Sequence, residues 1–178
     1  KLVNSAYYGF PQQISSINKA IGLIGMNQTK NIVVAVAMKS MLSTSVGKEL
    51  WEHSLLCGVG CEFLAKEFKL MNPDEAFMLG FLHDIGKIEA YSVEDGKTRF
   101  FGHEGYSTFM AREILKDEDC TRQELIDILN VISLHGVNTE QLQDIPYLSM
   151  FRKADVGGRI SEKETTDYAP RKFLKPCK

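Results

Sequence analysis

The residue types that could carry chemistry here are four histidines, His53, His83, His103 and His135, and two aspartates, Asp84 and Asp155. Each histidine falls at or within a segment of helical periodicity. Asp84 directly follows His83, and both come after Phe81-Leu82 in an apolar stretch. A carboxylate in such a place is costly unless it is paired or coordinates a metal. Adjacent residues on a helix project about 100° apart, so His83 and Asp84 can approach one ion from neighbouring directions. A lone buried histidine reads as a hydrogen-bonded core residue; a His-Asp pair with three more histidines and Asp155 on separate helices reads as a ligand set. Imidazole with carboxylate suits Mn, Fe, Co, Ni or Zn better than Ca. Without thiolates among them, a structural zinc is disfavoured.

These residues need helices to position them, and almost every segment has the period of one. Ile17, Ala20, Ile21 and Ile24 share a face after Ser15-Ser16, and Gly25 can end that helix. Asn27 opens a helix over 28–42, with Ile32, Val33, Val36 and Ala37 as its apolar stripe. Ser43 to Gly47 reads as a small-residue loop, and Leu50 to Phe68 as the next helix. Gly58 and Gly60 would weaken it unless another backbone packs closely there. Asn72-Pro73-Asp74-Glu75 is a strong helix start, with an N-cap, a first-position proline and acids in the first turn. That helix is expected to run to Gly86. Asp95-Gly96 between two short stretches predicts a β-hairpin within 89–101. Helices resume over 103–116, after the Thr121–Glu124 capping box, and from Pro146 through Asp155 to Gly157-Gly158. The predicted fold is all-α, a helical bundle with a small β-hairpin insert. The expected divisions are an N-terminal helical lobe over 1–47, a metal-binding helical core over 48–160 and a tail over 161–178.

Composition narrows the class. The chain has 178 residues, 44% hydrophobic and 25% charged, and a net charge of −2. That excludes a disordered tail, a collagen-like repeat and a coiled-coil rod. The longest apolar run, Ile32 to Met38, is too short to span a bilayer, and nothing reads as a signal peptide. Near-neutral charge gives no strong nonspecific pull toward nucleic acid or an anionic membrane. Cys57, Cys61, Cys120 and Cys177 form no CxxC pair and read as small thiols in a reducing compartment, so a cytoplasmic location is expected. A first residue of Lys1 suggests a piece of a longer protein.

Leu82-His83-Asp84-Ile85-Gly86-Lys87 resembles the signature of the HD superfamily of metal-dependent phosphohydrolases. That family places a His on one helix, an adjacent His-Asp pair on the next, and a distant Asp; His53, His83, Asp84 and Asp155 match. Members with a second metal add two histidines in the interval that holds His103 and His135. Residues 2–88, with Val3-Asn4-Ser5-Ala6-Tyr7-Tyr8-Gly9-Phe10, Ala20-Ile21-Gly22-Leu23-Ile24-Gly25 and Leu50-Trp51-Glu52-His53-Ser54, resemble an HDOD domain. HDOD domains are regulatory modules of bacterial signalling proteins, many lacking parts of the metal site. Residues 88–159, with the run from Asp95 to Glu104 and Arg152-Lys153-Ala154-Asp155-Val156-Gly157-Gly158-Arg159, are more similar to HD domains of CCA-adding and other RNA-processing enzymes.

The resemblance implies a hydrolase of nucleotide phosphomonoesters or phosphodiesters acting through a metal-bound water. One or two divalent ions per chain are implied, with Mn, Fe, Co, Ni or Mg as candidates. His53, His83, Asp84 and Asp155 would hold the first, Asp84 as a possible bridge. His103 and His135 are second-metal ligands or phosphate-binding groups. Asp84 and Lys87 are the expected catalytic residues, and Lys87 and Arg152 the groups for substrate phosphate. Lys87 also reads as a cation favourable at a helix C-terminus, and Arg152 as a solvated residue. Arg99 and Arg159 are weaker candidates with surface roles, and Glu52 and Glu104 read as exposed charges that could instead orient an imidazole. The expected partner is a small nucleotide or phosphoester. The rival expectation is a catalytically silent HDOD-like module that binds protein partners in signalling. Tyr7-Tyr8 and Phe100-Phe101 could stack bases but read as core or lobe contacts.

Overall fold

A computed structural model describes residue 4 and residues 11–41, 45–118, 120–137, 142 and 145–159. The expected tail over 161–178, Cys177, Tyr7-Tyr8 and most of the segment from Val3 to Phe10 lie outside the described residues. The architecture is all-α with one small hairpin. In chain order the elements are α1 (Ile17–Ile24), α2 (Met26–Met41), α3 (Ser45–Phe68), α4 (Pro73–Leu82), a 3₁₀ turn (Ile85–Lys87), β1 (Ser92–Glu94), β2 (Lys97–Arg99), α5 (His103–Leu115), α6 (Arg122–Leu134) and α7 (Leu148–Gly157).

Local signals explain most boundaries. Ser16 caps α1 by accepting the Lys19 N–H, and Gly25 closes it with φ +86°. Asn72 caps α4 by accepting from the Asp74 N–H, with Pro73 in the first turn. Thr121 and Glu124 form the reciprocal capping box of α6. In the hairpin, Asp95 and Gly96 both take positive φ, 52° and 70°. That is the turn geometry that matches strand twist, and it fixes the register Ser92↔Arg99, Val93↔Thr98, Glu94↔Lys97.

Helix α4 is the axis of the core. Every residue from Ala76 to Leu82 is buried, and it packs against α3, α6, α2 and α7. Its seam with α3 works because glycines face each other. A Cβ on Gly80 would lie 2.6 Å from the Cys57 carbonyl oxygen and 2.8 Å from the Gly58 Cα. Gly60 likewise admits Ala154 of α7, whose Cβ lies 3.2 Å from where a side chain would start. Both α3 glycines therefore serve close approach, as their position in an apolar helix suggests.

Three expectations need correction. Helix α4 stops at Leu82 instead of running to Gly86; Asp84 leaves the helix at φ −108°, ψ 4°. The turn is required because the Gly86 backbone lies directly against α5, where its N–H donates to the Ser107 Oγ at 2.9 Å. Ser45 to Gly47 are helical and begin α3, so they are not loop. On α2 the buried positions are Asn31, Ala35 and Met38, whereas Val33 and Val36 of the expected stripe are 60% and 62% exposed. The inner face of α2 meets a polar helix start: Gln28 and Asn31 donate to the Asp74 carboxylate at 3.3 and 3.5 Å.

Candidate metal centre

The break after α4 aims two side chains into the middle of the bundle. His83 is the C-cap of α4, and its ring Nδ1 donates to the Gly80 carbonyl at 2.7 Å. The last carbonyls of a helix lack intrahelical partners, so the helix end supplies the acceptor that orients the ring. His135 repeats the device at the end of α6, on the Ile132 carbonyl at 2.6 Å. His103 donates to the Phe100 carbonyl at 2.9 Å, and His53, from α3, to the Gly158 carbonyl beyond α7 at 3.1 Å. A carbonyl only accepts, so Nδ1 carries a proton in all four rings, and each ring in its neutral form keeps a lone pair on Nε2.

Those four Nε2 atoms converge in two pairs on the two oxygens of Asp84. His83 and His53 approach Oδ2 at 3.1 and 3.6 Å, and their Nε2 atoms lie 3.3 Å apart. His103 and His135 approach Oδ1 at 3.2 and 3.5 Å, their Nε2 atoms 3.2 Å apart. Asp155 joins the first pair, with Oδ1 at 3.3 Å from His53 and 3.8 Å from His83. Asp84 is 2% exposed, and its Oδ1 is buried without a hydrogen-bond donor among the described residues. The structure thus brings His53, His83, Asp84, His103, His135 and Asp155 into one cluster.

The cluster favours positive charge. Burial alone would push the Asp84 carboxyl up, but His83, His103 and His135 outweigh it and hold it well below the ordinary carboxylate range. Asp155 behaves the same way: burial opposes ionisation, and the neighbouring His53 ring and the Arg159 guanidinium more than offset it. Burial also disfavours charged imidazoles. Even so, Asp155, the Gly158 carbonyl and Asp84 hold His53 above its usual value, and Asp84, the Phe100 carbonyl and Glu104 do so for His103.

Two cations border these residues. The Lys87 ammonium contacts Asp84 Oδ2. Arg159 donates to Asp155 Oδ2 at 2.7 Å, which leaves Asp155 Oδ1 facing the histidines. From sequence Arg159 reads as a surface residue, and its place four residues after Asp155 is the signal that pairs the two. Arg152 sits on α7 beside Asp155, but its Nη2 donates to the Val137 carbonyl at 2.8 Å, so it borders the turn after His135 instead of entering the cluster. Glu104 lies 3.4 Å from His103 Nδ1, with its carboxylate against Gly136. Glu52 is a half-buried helix charge 4.0 Å from Lys48, and Arg99 lies 5.9 Å from the Phe101 ring. Cys57 and Cys61 are buried free thiols. Contact with Cys61 and burial push the Cys57 thiol far up, which leaves it inert.

The residues fit a divalent cation. Nitrogen lone pairs 3.2 and 3.3 Å apart repel unless a proton or a cation lies between them, and a buried carboxylate oxygen without a donor asks for the same partner. Two groups meet a ligand geometry, His53 with His83 and Asp155, and His83 with Asp84 and His135. Each ring is braced at Nδ1 by a backbone carbonyl, the arrangement that orients metal-ligating histidines.

An all-α bundle brings four histidines onto one buried aspartate, the arrangement that the resemblance to the HD superfamily implies. The family model for the HDOD domain matches residues 1–102, and the chain belongs to that family, which is related to the HD superfamily. No curated protein and no solved structure matches the chain. His53, His83 and Asp84 lie inside the matched range; His103, His135 and Asp155 lie beyond it. Among the described residues no helix is long and apolar enough to cross a membrane.

Proposed function

We propose that this domain is a divalent-metal-dependent phosphohydrolase acting on nucleotide phosphomonoesters or phosphodiesters. The observation that carries the reading is Asp84, whose two buried oxygens each face a pair of histidine Nε2 atoms. His53, His83, Asp155 and Asp84 Oδ2 would hold one ion, and His103, His135 and Asp84 Oδ1 a second. A bound divalent ion neutralises phosphate charge and lowers the pKa of coordinated water. Arg159 keeps Asp155 turned toward the histidines. Lys87 stands beside Asp84 with a cation for a phosphate oxygen or a leaving group, and Arg152, held on the Val137 carbonyl, would meet a phosphate only from the rim of the cluster. Mn, Fe, Co, Ni and Mg are the candidate ions, in a protein expected to work in the cytoplasm.

The rival is a silent regulatory module that binds a protein partner. The observation in its favour is that the HDOD match ends at residue 102, before three of the cluster residues. Elemental analysis after reconstitution with Mn²⁺ and desalting separates the two. The hydrolase retains one or two ions per chain and cleaves a nucleotide phosphoester. His83→Ala loses the ions, and Asp84→Ala loses hydrolysis by at least about 100-fold while far-UV dichroism stays unchanged. His135→Ala keeping one ion of two assigns the second position. A folded chain that retains no ion is the silent module.

A further inference from the structure

The aromatic pair at the open end of the hairpin lies close to the cluster, and nothing in the metal chemistry uses it. Tyr91 directly precedes β1 and Phe100 directly follows β2, so the register that pairs Ser92 with Arg99 brings the two rings together. Their centroids are 6.0 Å apart and the planes tilted by 55°, so neither ring covers the other's face. Tyr91 is 47% exposed. Phe100 is tied to the cluster twice. Its carbonyl holds His103 Nδ1 at 2.9 Å, and its ring centre lies 5.6 Å from the Lys87 ammonium that contacts Asp84. Beside the pair, Phe101 is 69% exposed with Arg99 at 5.9 Å from its ring. An aromatic surface bordered by cations, beside the ammonium that the phosphohydrolase reading assigns to phosphate, matches a planar base joined to a phosphate ester. Stacking of this kind accepts any base, because every base presents a π-face.

We infer that the Tyr91 ring is the platform on which the base of a nucleotide substrate stacks, with the tilted Phe100 ring as a side wall, while its phosphate meets Lys87 and the cluster. This rests on the phosphohydrolase reading and adds the specificity element to it. In this role the hairpin insert serves to place an aromatic pair at its base. Tyr91 is a specificity residue and touches none of the reacting atoms.

The test is calorimetric binding, without turnover, to the full chain in Mn²⁺. One probe is the phosphonate analogue of AMP, with a methylene in place of the ester oxygen; the other is the matching analogue of ribose 5-phosphate. The expected result is binding of the nucleotide analogue tighter by about 10-fold or more. Tyr91→Ala abolishes that preference and leaves ribose analogue binding and Mn²⁺ retention unchanged, whereas Tyr91→Phe keeps it. Equal affinity for both probes, binding of neither, or a preference that survives in Tyr91→Ala overturns the inference. A preference lost in Tyr91→Ala from a chain that hydrolyses nothing upholds the platform and sinks the hydrolase reading alone.

Discussion

Helices α2 and α4 are neighbours and both carry apolar runs, yet they use them in opposite ways. In α4 seven consecutive residues, Ala76 to Leu82, are buried, because α3, α6, α2 and α7 surround it. In α2 the apolar residues Val33 and Val36 face outward, and Asn31 is buried among polar contacts to α4. Apolar periodicity therefore marks the inner face only where the helix is half-buried by an apolar partner. Around α4 there is no outer face to read, and on α2 the inward partner is the charged first turn of α4. The difference places the His83-Asp84 pair at the end of the helix with the least freedom.

The sharpest break of that comparison is a methyl group on the α4 side. Gly80→Ala drives a Cβ into the α3 backbone, 2.6 Å from the Cys57 carbonyl oxygen, and backbone cannot swing away as a side chain can. Gly86→Ala lands on the Ser107 nitrogen and the His103 carbonyl of α5. Each is expected to cost about 3 kcal/mol or more, seen as a large fall in urea midpoint or as loss of soluble chain. Gly22→Ala on α1 meets nothing within 4 Å and serves as the control, expected to be neutral or slightly stabilising. A Gly80→Ala chain as stable as the parent would mean that the α3–α4 seam is looser than described.

What the sequence made legible follows from the same contrast. The caps at Ser16, Asn72 and Thr121 and the Asp95-Gly96 turn are set by residue type at short range and are readable, whereas the six cluster residues, spread from 53 to 155, are legible as a set through their types and the family resemblance. The stop of α4 at Leu82 was hidden because it is caused by α5 pressing on Gly86, a contact 21 residues away. The outward turn of Val33 and Val36 was hidden for a similar reason, since only the fold reveals that α2 meets Asp74. Nor does any local pattern announce that backbone carbonyls would brace the four imidazoles.

The polar seam between α2, α4 and α6 yields a smaller, pH-dependent effect. A cavity of ≈ 60 Å³ lies there, lined among others by Asn31, Asp74, Glu75 and Glu118. Burial, then the charges of Glu124 and Asp74, push the Glu75 carboxyl up to about 7, against a hydrogen bond from Asn72. An acid with a raised folded pKa is not penalised while both states are protonated, near pH 4 and below. Between about pH 4.5 and 7 the unfolded chain ionises first and stability falls, and above pH 7 the penalty is complete. Glu75→Gln is therefore expected to stabilise the domain at pH 8 by about 1 kcal/mol, a figure discounted for the solvent that reaches this half-buried group. Most of that gain disappears by pH 5. Urea midpoints of parent and variant at the two pH values check it, and the metal cluster, common to both, cancels.

The mildest test falls on the outer face of α2. Val33 and Val36 are 60% and 62% exposed, and valine and serine have similar helix propensity. Val33→Ser with Val36→Ser is expected to change stability by less than about 0.5 kcal/mol. Leu79→Ala on fully buried α4 is expected to cost about 2–5 kcal/mol by cavity formation. If the serine pair instead cost more than about 1 kcal/mol, the outer face of α2 would be buried in solution. The contrast between the two helices would then lie in which apolar surface covers each, since both would be core.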